Sequence, residues 1–412
     1  MHARFLFERT LAALDDTPVV FVQGARQCGK STLVESMLVP ERGSHYATLD
    51  DPTTLNAARN DPSGFLDGFD GDLAIDEVQA CPELFPAIKL SVDRDRRAGR
   101  FLLTGSTNAL VVPEMARALV GRVELITLRG LSQGELEGRR EDFVDWAFSG
   151  SRLEATRDDP VELAARIVSG GYPEVLARRG SERRAAWFDS YVATIVQRDI
   201  RDLARIEGLD QLPNLLRLCA ARTGSIVNLT ELSRSLGLPQ TTLKRYFALI
   251  ETVFLVQRVP AWSANLGKRL VRSPKLYLLD TGLACHLQGM TTDTWKQSGA
   301  RRGPLLENFV FAELDKQLGW SRTRARIHHY RTHGGEEVDF LLEDSRGRIV
   351  AVEVKASSSL AGSDVAPITR LASELGPRFV RGVALYTGSE IVPFARNVHA
   401  LPVSALWRGV EP

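Results

Sequence analysis

Short apolar runs alternate with helix-spaced stretches through the first ~130 residues. Pro18-Val19-Val20-Phe21-Val22 reads as a strand and Ser31 to Leu38 as a helix. Further strands are expected at His45–Leu49, at Asp72–Ile75 ending on Asp76, at Arg100–Thr104 and at Val123–Leu128. Strand–helix alternation of this kind predicts a parallel sheet covered by helices. Glu135 to Pro160 is polar and charged, and reads as a boundary or a loosely packed insertion. From Val161 to about Leu255 the apolar spacing turns helical, as at Trp187, Tyr191 and Ile195. Beyond about Gly303 the pattern is mixed, with Ile349–Lys355 and Gly382–Tyr386 the clearest strands.

At 412 residues the chain has room for two to four domains, each with its own core. Lys and Arg number 52 against 51 Asp and Glu, a net charge of +1, so general coating of nucleic acid is excluded and any basic face is local. No run of about 18 apolar residues predicts a membrane span. The first residues carry acids and no long apolar core, so no secretory leader is expected. Cys28, Cys81, Cys219 and Cys285 lie far apart without a Cys-x-x-Cys. That argues for a reducing compartment, hence the cytoplasm, and against a disulfide framework or zinc site.

The first chemistry-bearing motif is Gly24-Ala25-Arg26-Gln27-Cys28-Gly29-Lys30-Ser31, followed by Thr32, which matches G-x-x-x-x-G-K-[ST] throughout. It follows an apolar strand and opens a helix, the context in which backbone N–H groups curl around phosphates. Lys30 is expected to reach the β- and γ-phosphates and Ser31 to hold Mg²⁺. Asp76, ending an apolar run, is the expected second magnesium residue, and Glu77 the residue that polarises the attacking water. The Arg100–Thr104 strand leads into Ser106 and Asn108, candidates to sense the γ-phosphate at the ligand-facing end of a parallel sheet. Arg117 and Arg122, ahead of the last strand, are candidates to stabilise transition-state charge.

Asn228 to Leu236, Gly237, and Pro239 to Ile250 read as helix, turn, helix, with Thr230 the expected cap. Leu232, Leu236, Leu243, Phe247 and Ile250 form the expected shared core. Phe254–Val259 and Lys275–Leu278 are candidate wing strands. Gln240, Thr241, Lys244 and Arg245 would face DNA; a packing or subunit-contact role is the equal alternative.

Near the C-terminus Glu307 lies in an expected helix, Leu305–Leu318, and Asp339 in an expected strand, Val338–Leu342. A turn through Ser345-Arg346-Gly347 returns the chain to Glu353 and Lys355, which share one strand face. A hairpin brings Asp339 alongside Glu353. Carboxylates and a lysine converging in this way are suited to Mg²⁺-assisted phosphodiester cleavage. The set resembles the restriction-endonuclease D…E-x-K core, with Glu307 as its helix acid; Glu307, Asp339 and Glu353 would hold metal and Asp339, Glu353 and Lys355 act in catalysis.

The phosphate loop, Leu49-Asp50-Asp51-Pro52, Ile75-Asp76-Glu77-Val78-Gln79, Leu103-Thr104-Gly105-Ser106 and Gly121-Arg122 together resemble prokaryotic AAA-type ATPases. More narrowly they resemble those joined to the domain of unknown function 4143. Gly170-Gly171-Tyr172-Pro173, Gln197-Arg198-Asp199-Ile200 and Leu278-Leu279-Asp280-Thr281-Gly282 are similar to that family too. The resemblance implies an α/β chain with an AAA-like P-loop core in residues 1–134 and a helical lid or linker in 135–205. A winged-helix-like segment in 206–300 and a restriction-endonuclease-like domain in 301–412 would follow. ATP and Mg²⁺ are the expected cofactors. A Mg-dependent ATPase acting on DNA is the leading expectation. The alternatives are a nucleotide-gated switch with an inactive nuclease fold and an ATP-dependent metal nuclease. DNA, a second copy of the chain and a partner protein stay open as partners.

Overall fold

The computed structural model describes residues 2–108, 113–149, 160–201, 209–264, 273–332 and 334–408. The chain forms two compact units, residues 1–131 with 252–254, and residues 132–251 with 255–412. The second takes in the three later segments that the sequence divides.

In the first unit five strands build a wholly parallel sheet: β1 (Val19–Gln23), β2 (His45–Thr48), β3 (Leu73–Asp76), β4 (Phe101–Gly105) and β5 (Val123–Thr127). Their order is β2-β3-β4-β1-β5. Every residue of β1, β3 and β4 is buried, which explains their unbroken apolar runs: both faces are covered. Phe21, Ile75 and Leu103 pack with Phe85 and Ile88 of the helix Leu84–Arg94 in one core. Because the strands are parallel, Gln23, Asp76 and Gly105 end on one edge of the sheet. That edge is where ligands bind in open α/β sheets.

The second unit begins at Ser132. The charged stretch after Ser132 is packed, not loose, as far as it is described. Ser132 caps the helix Gln133–Glu137, and Glu135 returns a bond to the Ser132 N–H. The helix Phe143–Ser149 buries Phe143, Val144, Trp146, Ala147 and Phe148. Its acids include internal hydrogen-bond acceptors: Gly134 N–H donates to buried Glu141. Residues 150–159, the rest of that stretch, lie outside the described residues.

Helices Leu229–Leu236 and Gln240–Thr252 flank Gly237, whose φ of 65° suits glycine. Asn228 rather than Thr230 caps the first, accepting from Glu231 N–H at 3.1 Å; Thr230 is already inside the helix. Leu232, Leu243, Phe247 and Ile250 are buried, while Leu236 is only half-buried. A two-stranded antiparallel ribbon follows, β6 (Val256–Val259) with β7 (Lys275–Leu278). The strand starts at Val256, two residues after Phe254, which takes a left-handed φ of 59°.

The second sheet is mixed: β8 (Ala325–Arg331), β9 (Glu337–Asp344), β10 (Ile349–Lys355), β11 (Phe379–Tyr386), β12 (Val392–Ala395) and β13 (Val398–Pro402). Its order is β12-β13-β11-β10-β9-β8. β9 and β10 form the expected hairpin, with Val352 opposite Phe340, which sets Glu353 beside Asp339. The helix Arg302–Trp320 carries Glu307.

Two of the glycine-bearing motifs turn out to be structural. The buried Asp280 carboxylate accepts Gly171 N–H at 2.7 Å and caps the helix Thr281–Leu287 through Leu283 N–H at 2.8 Å. A Cβ at Gly170 would lie 2.4 Å from that carboxylate, so the close approach requires glycine. Among the described residues no helix is long and apolar enough to cross a membrane.

Candidate functional site

The phosphate loop leaves β1 and enters a continuous helical stretch: α over Lys30–Leu33, π over Val34–Leu38, α over Val39–Arg42. Gly24 has no room for a side chain, since a Cβ would sit 2.1 Å from Leu128 O. Gly29 turns into the helix at φ 96°. Lys30 is buried and its Nζ donates to the carbonyl oxygens of Gly24 and Ala25, each 3.1 Å away. Cys28 is buried as well, with Sγ 3.5 Å from Leu128 O. Arg26 is half-buried; Gln27 and Thr32 are exposed, Gln27 at a left-handed φ of 63°.

Asp76 joins the loop to the neighbouring strands. Its Oδ2 accepts from Ser31 Oγ at 2.9 Å and from Tyr46 OH at 3.1 Å, and its Oδ1 accepts from the Thr104 hydroxyl. Burial first, then the Asp76 charge, pushes the Tyr46 phenol above its ordinary pKa, so it remains a donor. A serine hydroxyl touching a carboxylate at a P-loop is an all-oxygen donor set that fits Mg²⁺. Glu77 is held at φ 55°, a strained value for a side-chain-bearing residue, with its N–H on Thr104 Oγ1 at 3.0 Å. Its carboxylate accepts from Gln79 Nε2, which also reaches Ser106 Oγ at 3.2 Å. Asn108 donates its N–H to Thr252 O at 2.9 Å.

Sequence reasoning gave no role to two residues here. Gln79 ties Glu77 to Ser106. Buried Arg4 donates to Cys28 O at 2.9 Å and to Arg129 O at 2.7 Å, fastening the loop from behind. Gln79 falls within the Ile75–Gln79 motif; nothing local marks Arg4.

Arg122 does not belong to this site. Val19 N–H donates to Arg122 O, so Arg122 precedes the start of β5, beside the start of β1. The phosphate loop lies at the far end, roughly 16 Å along the strands. The Arg122 guanidinium is paired with Asp93 at 2.6 Å instead. Arg117 is exposed on the helix Pro113–Leu119.

The second candidate site lies wholly within the second unit. Lys355 Nζ donates to Glu353 Oε1 at 2.8 Å. Asp339 accepts Val354 N–H at 2.9 Å, and its own N–H meets Glu353 Oε2 at 3.4 Å. Lys275, on the ribbon strand β7, lies 2.9 Å from Glu307 Oε1 and 3.2 Å from Asp339 Oδ1. Burial, with the Asp339 charge next, pushes Glu307 up to about 7 and Glu353 up to about 8. Burial alone would lower Lys275, but Glu307 and Asp339 outweigh it and hold its pKa above the usual lysine value. Of the acids expected to share a metal, Glu307 and Asp339 meet the Lys275 ammonium, while Glu353 pairs with Lys355. Among the described residues no group of three or more His, Cys, Asp or Glu side chains is placed to hold a metal ion. The arrangement does not fit Mg²⁺.

Three segments of the chain match known protein families. Residues 16–137 match the model of an AAA domain, residues 161–294 a domain of unknown function (DUF8612), and residues 302–406 a domain of unknown function (DUF4143). Uncharacterized proteins of Mycobacterium tuberculosis and Mycobacterium bovis are each 31% identical over 402 residues, 97% of this chain and 83% of theirs. An uncharacterized protein of Haemophilus influenzae is 26% identical over 279 residues, 65% of this chain and 61% of its own. Among solved structures, the Holliday junction branch migration motor RuvB of Thermotoga maritima aligns at 18% identity and a TM-score of 0.30, over 63% of this chain and 90% of that one. With a P-loop sheet at one end, a DUF4143 match at the other and this identity over nearly the whole chain, the protein belongs to the family of AAA-type P-loop ATPases that carry a DUF4143 domain.

Proposed function

We propose that the first unit binds and hydrolyses ATP with Mg²⁺. The carrying observation is the Ser31–Asp76 hydrogen bond at 2.9 Å within a complete phosphate loop. Bound Mg²⁺ supplies charge neutralisation at the terminal phosphates, with Ser31 and Asp76 as its protein oxygens. Lys30 exchanges the carbonyls of Gly24 and Ala25 for phosphate oxygens. The backbone N–H groups of the loop and the first helical turn add fixed positive charge at no reorganisation cost. Glu77 orients and deprotonates the attacking water, and Gln79 sets the rotamer of Glu77 while linking it to Ser106. Lys30→Ala is expected to abolish phosphate release. Glu77→Gln is expected to bind a fluorescent ATP analogue normally while blocking turnover. Wild-type turnover in both variants would refute the assignment.

A second reading concerns the helix-turn-helix and its ribbon, which are proposed to act as a DNA-contacting winged helix. What supports it is that Gln240, Thr241, Lys244 and Arg245 are all exposed on the second helix. Phosphate contacts make binding fall with salt, at a log–log slope of about −0.9 per contact. Lys244→Ala with Arg245→Ala should weaken DNA binding and flatten the slope by up to roughly two units. Identical slopes would assign the segment to packing or to subunit contact. The cytoplasm is the proposed compartment; all four cysteines are free and buried, as a reducing environment allows.

A further inference from the structure

The ribbon strand β7 delivers a cation to the place where the C-terminal carboxylates would gather a metal. The Lys275 side chain is only 4% exposed, yet its Nζ lies within 3.2 Å of oxygens from two carboxylates and 4.0 Å from Glu337 Oε2. Tyr277 is two residues along, so it shares the same strand face. Its hydroxyl donates to the Glu307 oxygen that Lys275 already holds, at 2.5 Å. Both oxygens of Asp339 and both of Glu353 accept N–H donors from the protein: Lys275, Val354, Lys355 and Asp339 itself. Gly224 closes a further side, since a Cβ there would stand 3.1 Å from Glu307 Oε2.

We infer that Lys275 is the resident counter-ion of Glu307 and Asp339, with Lys355 on Glu353 beside them, and that its ammonium group holds this site closed to divalent metal. A divalent ion binds carboxylate oxygens at about 2.0–2.6 Å and would need the volume that Nζ occupies. An ammonium and a divalent cation cannot share it, because like charges at that separation repel strongly in a buried setting. Lys275 is buried at its side chain and anchored at its backbone. Its backbone is paired with Val259 in the ribbon and bridged to Ile226. Burying a carboxylate cluster without a counter-ion is costly, so the lysine also fixes the ribbon against the C-terminal sheet. The inference is independent of the ATPase reading, because every residue in it lies in the second unit.

The test is a calorimetric Mn²⁺ titration of the full chain without nucleotide. Lys275→Met, of similar length and uncharged, is expected to take up one more equivalent of Mn²⁺ than wild type. Lys275→Met with Asp339→Asn is expected to lose that equivalent again. Asp339→Asn alone should bind as much Mn²⁺ as wild type, and wild type should show no DNA nicking that Asp339→Asn removes. The inference is overturned if Lys275→Met gains no equivalent, if Asp339→Asn alone loses one, or if such nicking is found. A folding defect in Lys275→Met is itself informative. Thermal melts in EDTA should then show Lys275→Met with Glu307→Gln melting several degrees above Lys275→Met alone, because the second change removes the unpaired charge. A double variant that melts no higher would overturn the counter-ion role.

Discussion

Arg4 offers a demanding test of how the phosphate loop is held. The residue is only 9% exposed, and its guanidinium donates to Cys28 O at 2.9 Å and Arg129 O at 2.7 Å. Arg4→Met keeps much of the apolar stem and removes both bonds. Hydrogen bonds involving a charged group contribute about 1.5–3 kcal/mol each, so the lower figure gives roughly 3 kcal/mol for the pair. Loops open locally at a smaller free energy than the whole domain unfolds. The loss should therefore fall mainly on the loop's phosphate-binding conformation. At about 1.4 kcal/mol per factor of ten, that figure corresponds to about a hundredfold in nucleotide affinity. Relaxation of the loop reduces it, so a loss of roughly ten- to a hundredfold is expected. A fluorescent ATP analogue titrated into wild type, Arg4→Met and Arg4→Lys measures it, with thermal melts alongside. Arg4→Lys should recover part of the affinity, because an ammonium can keep one of the two carbonyls. Arg4→Met binding nucleotide within about twofold of wild type, a change of only ~0.4 kcal/mol, would refute the idea that Arg4 shapes the loop.

Gln79→Ala should lower kcat by roughly tenfold or more while leaving nucleotide affinity nearly unchanged, since Gln79 touches Glu77 and Ser106 but not the loop; an equal effect on affinity would contradict this. Asp145→Ala should destabilise the protein by about 2 kcal/mol in chemical denaturation, because Asp145 accepts from Ser321 Oγ, Arg322 N–H and Thr323 N–H. Burial raises the Asp145 pKa, but the bonds from Thr323 and Ser321 prevail and lower it. Its charge-dependent contribution is therefore complete above the unfolded value of about 3.9 and is lost as pH falls through the lower folded value. The melting difference between wild type and Asp145→Asn should accordingly shrink only below about pH 4; a difference that shrinks between neutrality and pH 5 would rule this out.

The sequence alone determined the ATPase sheet because its strands are buried on both faces and its loop chemistry is local. Apolar runs, the Gly24–Ser31 spacing and the acid pair ending β3 each depend on a few adjacent residues. The helix-turn-helix and the β9–β10 hairpin were legible for the same reason, since helical and strand periods and the 345–347 turn set them. What the sequence could not decide depends on residues far apart in the chain. Arg122 reads as a nucleotide residue until parallel pairing puts it at the opposite end of the sheet. Nothing local in the sequence marks Arg4, and only the fold brings it to the Cys28 carbonyl. The charged stretch from Glu135 reads as a boundary or a loosely packed insertion, but Gly134 N–H donates to buried Glu141. Lys275 was a residue of a candidate wing, and only the packing of that ribbon against the Glu307 helix and the β9–β10 hairpin turned an expected metal cluster into an ion-paired one. Side-chain period specifies which face a residue occupies; which distant charge it meets there is fixed by tertiary packing alone.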